Sequence, residues 1–204
     1  MDLKLECCVG NYKEAKRAND LGAHRIELCD NLLEGGTTPS LGTISMAKEK
    51  FDSEIMVIIR PRGGDFNYSI DEFEIMKKDI LHCKNIGVTG VVLGILNDDN
   101  EIDLERTRTL VDMAKPMEIT FHMAFDDIKD KKKAIDQLVD LKIDRVLTKG
   151  GAENAIAGKE CIKELIEYAK NRIIIMPGGG VTKHNYEDLS KYTGAKELHG
   201  TKIL

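Results

Sequence analysis

The sequence predicts an α/β fold: a short (β/α)8 barrel of the TIM type, one domain over residues 1–204, with no segment left for the usual eighth helix. Three observations carry this expectation. Short apolar segments alternate with helix-patterned segments along the whole chain, about eight of the first and seven of the second. Their spacing, roughly 20 to 35 residues, is that of strand–helix crossovers, which build a parallel sheet with right-handed connections. Several strands also carry charged or sulfur-bearing side chains on one face, which points to a ring of strands around one shared polar centre.

Each element has a local reason. Leu3 to Cys8 reads as the first strand, with Leu3 and Leu5 on one face and Glu6 and Cys8 on the other. Gly10-Asn11 ends it, and Asn11 with Glu14 forms a capping box for a helix closed by Gly22. Arg25 to Cys29 is the second strand. Gly35-Gly36 then turns the chain, and Thr38-Pro39 reads as an N-cap followed by the first helical position. Ile55 to Arg60 is a nearly continuous apolar strand that ends in Pro61-Arg62-Gly63-Gly64. Ser69 and Glu72 cap the next helix, and Gly87 stops it.

Gly90 to Gly94 is a short fourth strand, and Pro116 stops the helix after it. Glu118 to Met123 is the fifth strand, and Asp130 caps its helix. Arg145 to Thr148 is the sixth strand, ending at Lys149-Gly150-Gly151. Ile173 to Met176 is the seventh, ending in Pro177-Gly178-Gly179-Gly180. Lys196 to His199 is the eighth. An eighth strand without a following helix leaves apolar flanks that a second subunit would cover, so a homodimer or higher homo-oligomer is expected.

Composition narrows the partners. A net charge of -5 argues against nucleic acid as a partner and against anionic membrane. No apolar run reaches the roughly 18 residues of a membrane span. The five cysteines are scattered, with no C-x-x-C pair, and the N-terminus lacks a secretory pattern. Free thiols of this kind predict a cytoplasmic protein.

In a parallel barrel the working site lies at the C-terminal ends of the strands. The candidates there are Glu6 and Cys8, Arg25, Glu27 and Cys29, Arg60 and Arg62, His122 with Asp126, Lys149, and Glu197 and His199. Charged groups inside a barrel are costly unless paired. Glu6, Arg25 and Glu27 therefore read either as a mutually neutralising network or as part of a pocket. The candidate anion-binding set is Arg25, Arg60, Arg62 and His199, joined by the Gly178, Gly179, Gly180 turn, whose backbone N–H groups suit a phosphate. That turn also needs glycine for its tightness alone. His122 would move a proton, oriented by Asp126 or Glu27, which makes these three the catalytic candidates. Cys8 and Cys29 end neighbouring strands on the same face. They read either as small buried apolar groups or as two ligands for Cu(I), a soft ion that prefers sulfur.

The segments LECCV, GAHRIELCDNLLEGGTTPSLG, IIRPRGGDFNYS, TFHMAFD, LTKGG, MPGGG and ELHG occur in that order over essentially the whole chain. In this the sequence resembles the CutC family, named for a proposed role in copper homeostasis. The resemblance implies a TIM-type barrel, a cytoplasmic homo-oligomer and a Cu(I) site at two cysteines, which fall here on Cys8 and Cys29. Two positions depart from the family pattern: Met123 stands where arginine is usual, and Lys149 where serine is usual. Two functions follow as expectations. One is copper homeostasis through Cu(I) bound by Cys8 and Cys29, without catalysis. The other is an enzyme acting on a small phosphorylated or carboxylated metabolite through the Arg, His and Glu pocket.

Overall fold

Eight strands and seven α-helices alternate along residues 3–204, the residues described by the computed structural model. In order they are β1 (Lys4–Val9), α1 (Tyr12–Asp20), β2 (Arg25–Leu28), α2 (Leu41–Lys50), β3 (Glu54–Ile58), α3 (Ile70–Ile86), β4 (Gly90–Leu93) and α4 (Leu104–Ala114). The second half holds β5 (Glu118–Phe121), α5 (Lys131–Asp140), β6 (Arg145–Thr148), α6 (Lys159–Ala169), β7 (Ile174–Pro177), α7 (Tyr186–Thr193) and β8 (Glu197–Gly200). Two 3₁₀ turns, Leu32–Glu34 and Met123–Asp127, follow β2 and β5.

Pairing is parallel throughout, in the order β7-β6-β5-β4-β3-β2-β1-β8. The register sets Glu6 beside both Arg25 and His199, and Cys8 beside Glu27. The ladder is open only between β7 and β8, so the sheet is a nearly closed TIM-type barrel. Strands this short close a ring because each is buried on both faces: every residue of β2, β4 and β6 is buried. Outward residues such as Ile26, Leu28, Val57, Val91 and Phe121 join Ile80, Leu110 and Leu138 of the helices in one core. Each such side chain contributes about 1.5–3 kcal/mol of burial free energy. A second, small cluster of Cys8, Cys29, Met56, Ile58 and Val92 lies inside the barrel.

Several boundaries differ from the sequence reading by one or two residues. The second helix is capped by Ser40, whose side chain accepts from Thr43 N–H, and not by Thr38. Thr38 instead exchanges hydrogen bonds with the Arg60 backbone, which ties the turn after β2 to the end of β3. The fifth strand ends at Phe121, because His122 turns its ring nitrogen back to cap the 3₁₀ turn that contains Met123. The third ends its ladder at Ile58, leaving Arg60 in the loop. The Asn11 side chain accepts from Glu14 N–H, but Glu14 answers to the Gly10 N–H, so the box is displaced by one residue. The Ser69–Glu72 box is complete.

No helix follows β8 among the described residues. The flank it would cover is a groove lined in part by Cys7, Val9, Ala18, Leu21 and Leu204.

Candidate metal centre and barrel mouth

The inward side chains form two levels. The deep level is a chain of ion pairs. Arg25, fully buried, binds Glu6 through Nε and Glu197 through Nη2. Arg145 Nε lies 3.1 Å from Glu197, and its Nη2 lies 2.7 Å from Glu118. Arg25, expected among the anion-binding groups, is thus committed to two carboxylates at the closed end of the barrel.

Glu6 links this level to the mouth. Its Oε1 lies 2.8 Å from His199 Nδ1, and His199 Nε2 lies 3.6 Å from Glu27 Oε2. Burial opposes ionisation of Glu6, but Arg25 and His199 outweigh it and hold its pKa at about 2. Burial likewise opposes the imidazolium of His199, yet Glu27, Cys8 and Glu6 together raise its pKa well above the usual value. The pKa of Glu27 is raised, first by burial.

Cys8 and Cys29 meet above this pair. Their sulfurs are 4.0 Å apart, too far for a disulfide, and both are free thiols. Ligand atoms of Cys8, Glu27 and Cys29 lie within 4.8 Å of one another, and all three residues are buried. The contact with Cys29, burial and Glu27 raise the Cys8 pKa well above the ordinary thiol value. For Cys29 the hydrogen bond with Cys8 lowers the pKa, but burial and Glu27 prevail and carry it to about 11. Gly36 makes room for this pair. It has φ +89°, and a Cβ there would lie 3.3 Å from Cys29 Sγ and from Ile58 Cδ1.

The mouth itself is a cavity of about 260 Å³ whose lining includes Cys8, Glu27, Arg60, Phe66, His122 and His199. Gly179 and Gly180 line it as well. Gly178 lies beneath: a Cβ there would sit 2.5 Å from Leu147 and 3.0 Å from His199. Met123 lines the cavity, and the stem of Lys149 packs beside Gly179. Of these two residues, which depart from the family pattern, only Met123 lines the cavity; Lys149 lies behind Gly179.

The remaining candidates separate. Arg62 stays at the outer rim, 2.6 Å from Glu72 and 3.1 Å from Asp65, and stacks over Tyr68. It does not join Arg60 in a clamp. Asp126 accepts from Thr148 Oγ1 and from the N–H groups of Lys149 and Gly151. It anchors the loop after β6 and does not orient His122. Arg60 gives its terminal nitrogens to the carbonyls of Glu34, Gly36 and Gly64. His122 has no carboxylate beside it among the described residues; burial first and Arg60 second press its pKa down to about 3. The carboxylate-paired histidine is His199.

Phe66 escaped the sequence reading. Its ring lies 4.8 Å from the His122 ring and 5.1 Å from the Arg60 guanidinium. An aromatic close behind the Gly63-Gly64 pair is the one signal the sequence offers for it.

The fold and its mouth define a barrel protein with a buried dithiol and a histidine–carboxylate cluster at its open end. The CutC family pattern matches residues 3–204, and the chain belongs to that family. A copper homeostasis protein cutC homolog of Mus musculus is 46% identical over 195 residues, 96% of this chain and 72% of that one. A family protein CutC of Enterococcus faecalis is 42% identical over 206 residues, 98% of this chain and 99% of that one. The crystal structure of a CutC from Streptococcus agalactiae superposes with a TM-score of 0.95 at 44% identity, covering 99% of this chain and 100% of that one.

Proposed function

We propose that this protein handles copper by binding Cu(I) between Cys8 and Cys29, with Glu27 adjoining, in the reducing cytoplasm. The observation that supports this most directly is the 4.0 Å separation of two unbonded sulfurs. It is shorter than twice a metal–thiolate bond of about 2.3 Å, so one ion reaches both sulfurs without moving either strand. Thiolates are soft donors and suit Cu(I). Both thiols are protonated at neutral pH, so the ion must displace their protons on binding. The reading also agrees with the name of the murine relative, a copper homeostasis protein cutC homolog. No helix among the described residues is long and apolar enough to cross a membrane.

Cu(I) titration against a competing chelator tests this reading. Wild type is expected to hold one ion, and Cys8→Ser and Cys29→Ser are each expected to lose it. Unchanged affinity in both variants would overturn the site.

A second reading is an enzyme acting on a small anionic metabolite in the mouth. One observation favours it. Arg60 Nε and His122 Nε2, both buried and both from residues lining the cavity, have no hydrogen-bond partner among the described residues.

A further inference from the structure

The hydrogens of these two orphaned groups can be assigned. The Ala124 N–H donates to His122 Nδ1 at 3.2 Å. Nδ1 is therefore an acceptor, and in a neutral imidazole the ring hydrogen sits on Nε2. Gly94 leaves space for this ring: a Cβ there would lie 2.5 Å from His122 Cε1. Arg60 is held as firmly. Its Nη1 donates to the Glu34 and Gly36 carbonyls at 2.6 and 2.9 Å, and its Nη2 to the Gly64 carbonyl at 2.7 Å. What remains unpaired is one Nε–H. Phe66 packs against both residues and fixes them on one wall. Buried donors are almost always paired, and two together on a cavity wall call for an acceptor.

We propose that the mouth binds a small carboxylate, whose two oxygens accept from Arg60 Nε–H and His122 Nε2–H while its carbon skeleton lies on Leu32, Ile58, Met123 and Leu147. This rests on the second reading above and names its ligand class. A carboxylate brings two acceptor oxygens to two donors. A phosphate group brings three oxygens, and the terminal nitrogens of Arg60 that would meet them are already spent on carbonyls. The four apolar side chains and the small volume suit a short acid. In this arrangement His122 is a neutral donor to the ligand and not a base.

The test is calorimetric titration of the full chain with butyrate, 2-oxobutyrate and inorganic phosphate, each to about 10 mM, alongside ring ¹⁵N NMR of His122. At least one carboxylate is expected to bind and to shift the His122 Nε2 resonance. His122→Asn keeps an acceptor for the Ala124 N–H and removes the ring donor. It is expected to weaken binding about tenfold or more, the size of one hydrogen bond to a charged group. Carboxylate binding of full strength in His122→Asn would overturn the donor assignment. Should that variant fail to fold, the wild-type ring decides: a hydrogen on Nδ1, or no Nε2 shift on addition of a bound carboxylate, overturns it equally. Binding of phosphate with neither carboxylate would overturn the ligand class and leave the anionic-metabolite reading standing. Binding of none of the three would remove both.

Discussion

His199 Nδ1 lies 2.8 Å from Glu6 Oε1, while the other oxygen of the same carboxylate meets Arg25. One buried acid thus couples the ion pairs at the closed end of the barrel to the histidine at its mouth. Glu6→Gln leaves Arg25 with an incomplete set of counter-charges in the interior. Removing one member of such a pair costs about 3–5 kcal/mol, and urea unfolding of the variant should show a loss of that order.

The two arginines that follow β3 should behave oppositely. Arg60→Ala frees three loop carbonyls and should lower stability by about 2–4 kcal/mol, with the mouth disordered. Arg62→Ala breaks two rim ion pairs, the stacking on Tyr68 and hydrogen bonds to the carbonyls of Gly63, Asp65 and Asn67. Arg62 is partly exposed and water replaces these contacts, so the loss should be smaller, about 1 kcal/mol. Thermal unfolding of both variants checks this; equal losses would contradict the placement of Arg62 outside the mouth.

His122 should leave a mark on acid stability. Its pKa in the folded state is lowered to about 3, against an ordinary value of 6.5. Between those values the unfolded chain takes up the proton and the folded chain does not, so stability falls as pH drops through that window. The slope attributable to this residue approaches about 1.4 kcal/mol per pH unit. Urea midpoints measured from neutral pH downward should fall less steeply in His122→Asn than in wild type.

Gly94→Ala tests the support of the same ring. The new methyl would overlap His122 Cε1 and Nδ1, at 2.5 and 2.7 Å. Overpacking of this kind costs about 1–3 kcal/mol. Carboxylate binding should weaken with it, and a variant that binds as wild type does would show that the ring's position is not what matters.

Gly36→Ala addresses the thiols. The position has φ +89°, which costs a non-glycine residue about 1–2 kcal/mol. The added Cβ also presses on Cys29 Sγ. Both stability and Cu(I) affinity should drop, whereas Gly22→Ala, with φ +81° and open space around it, should affect stability alone.

The alternation of strands and helices, the caps at Ser69 and Asp130, and the inward parity of Glu6, Cys8, Arg25 and Glu27 are all legible in the chain. They follow from periodicity and from side-chain chemistry acting over a few residues. The same local reasoning reaches the approach of Cys8 to Cys29, because both sit on the inward face at the ends of neighbouring strands, although the register itself sets Cys8 beside Glu27. It does not reach the fates of Arg60, Arg62, His122 and Asp126. All four sit just past strand ends, where the loop path sets the direction of a side chain. Arg60 turns to three carbonyls because the turn after β2 folds over it, and Asp126 turns to the loop after β6. His122 bends to cap its own 3₁₀ turn and so loses the carboxylate partner that its position suggested.

Sequence alone thus fixes which residues share the inside of the barrel, since parity and strand order are properties of short segments. Only the tertiary structure decides which of them are spent on one another and which face empty space. Hydrogen-bond partners in the mouth come from strands and loops far apart in the chain, and each donor can be committed only once.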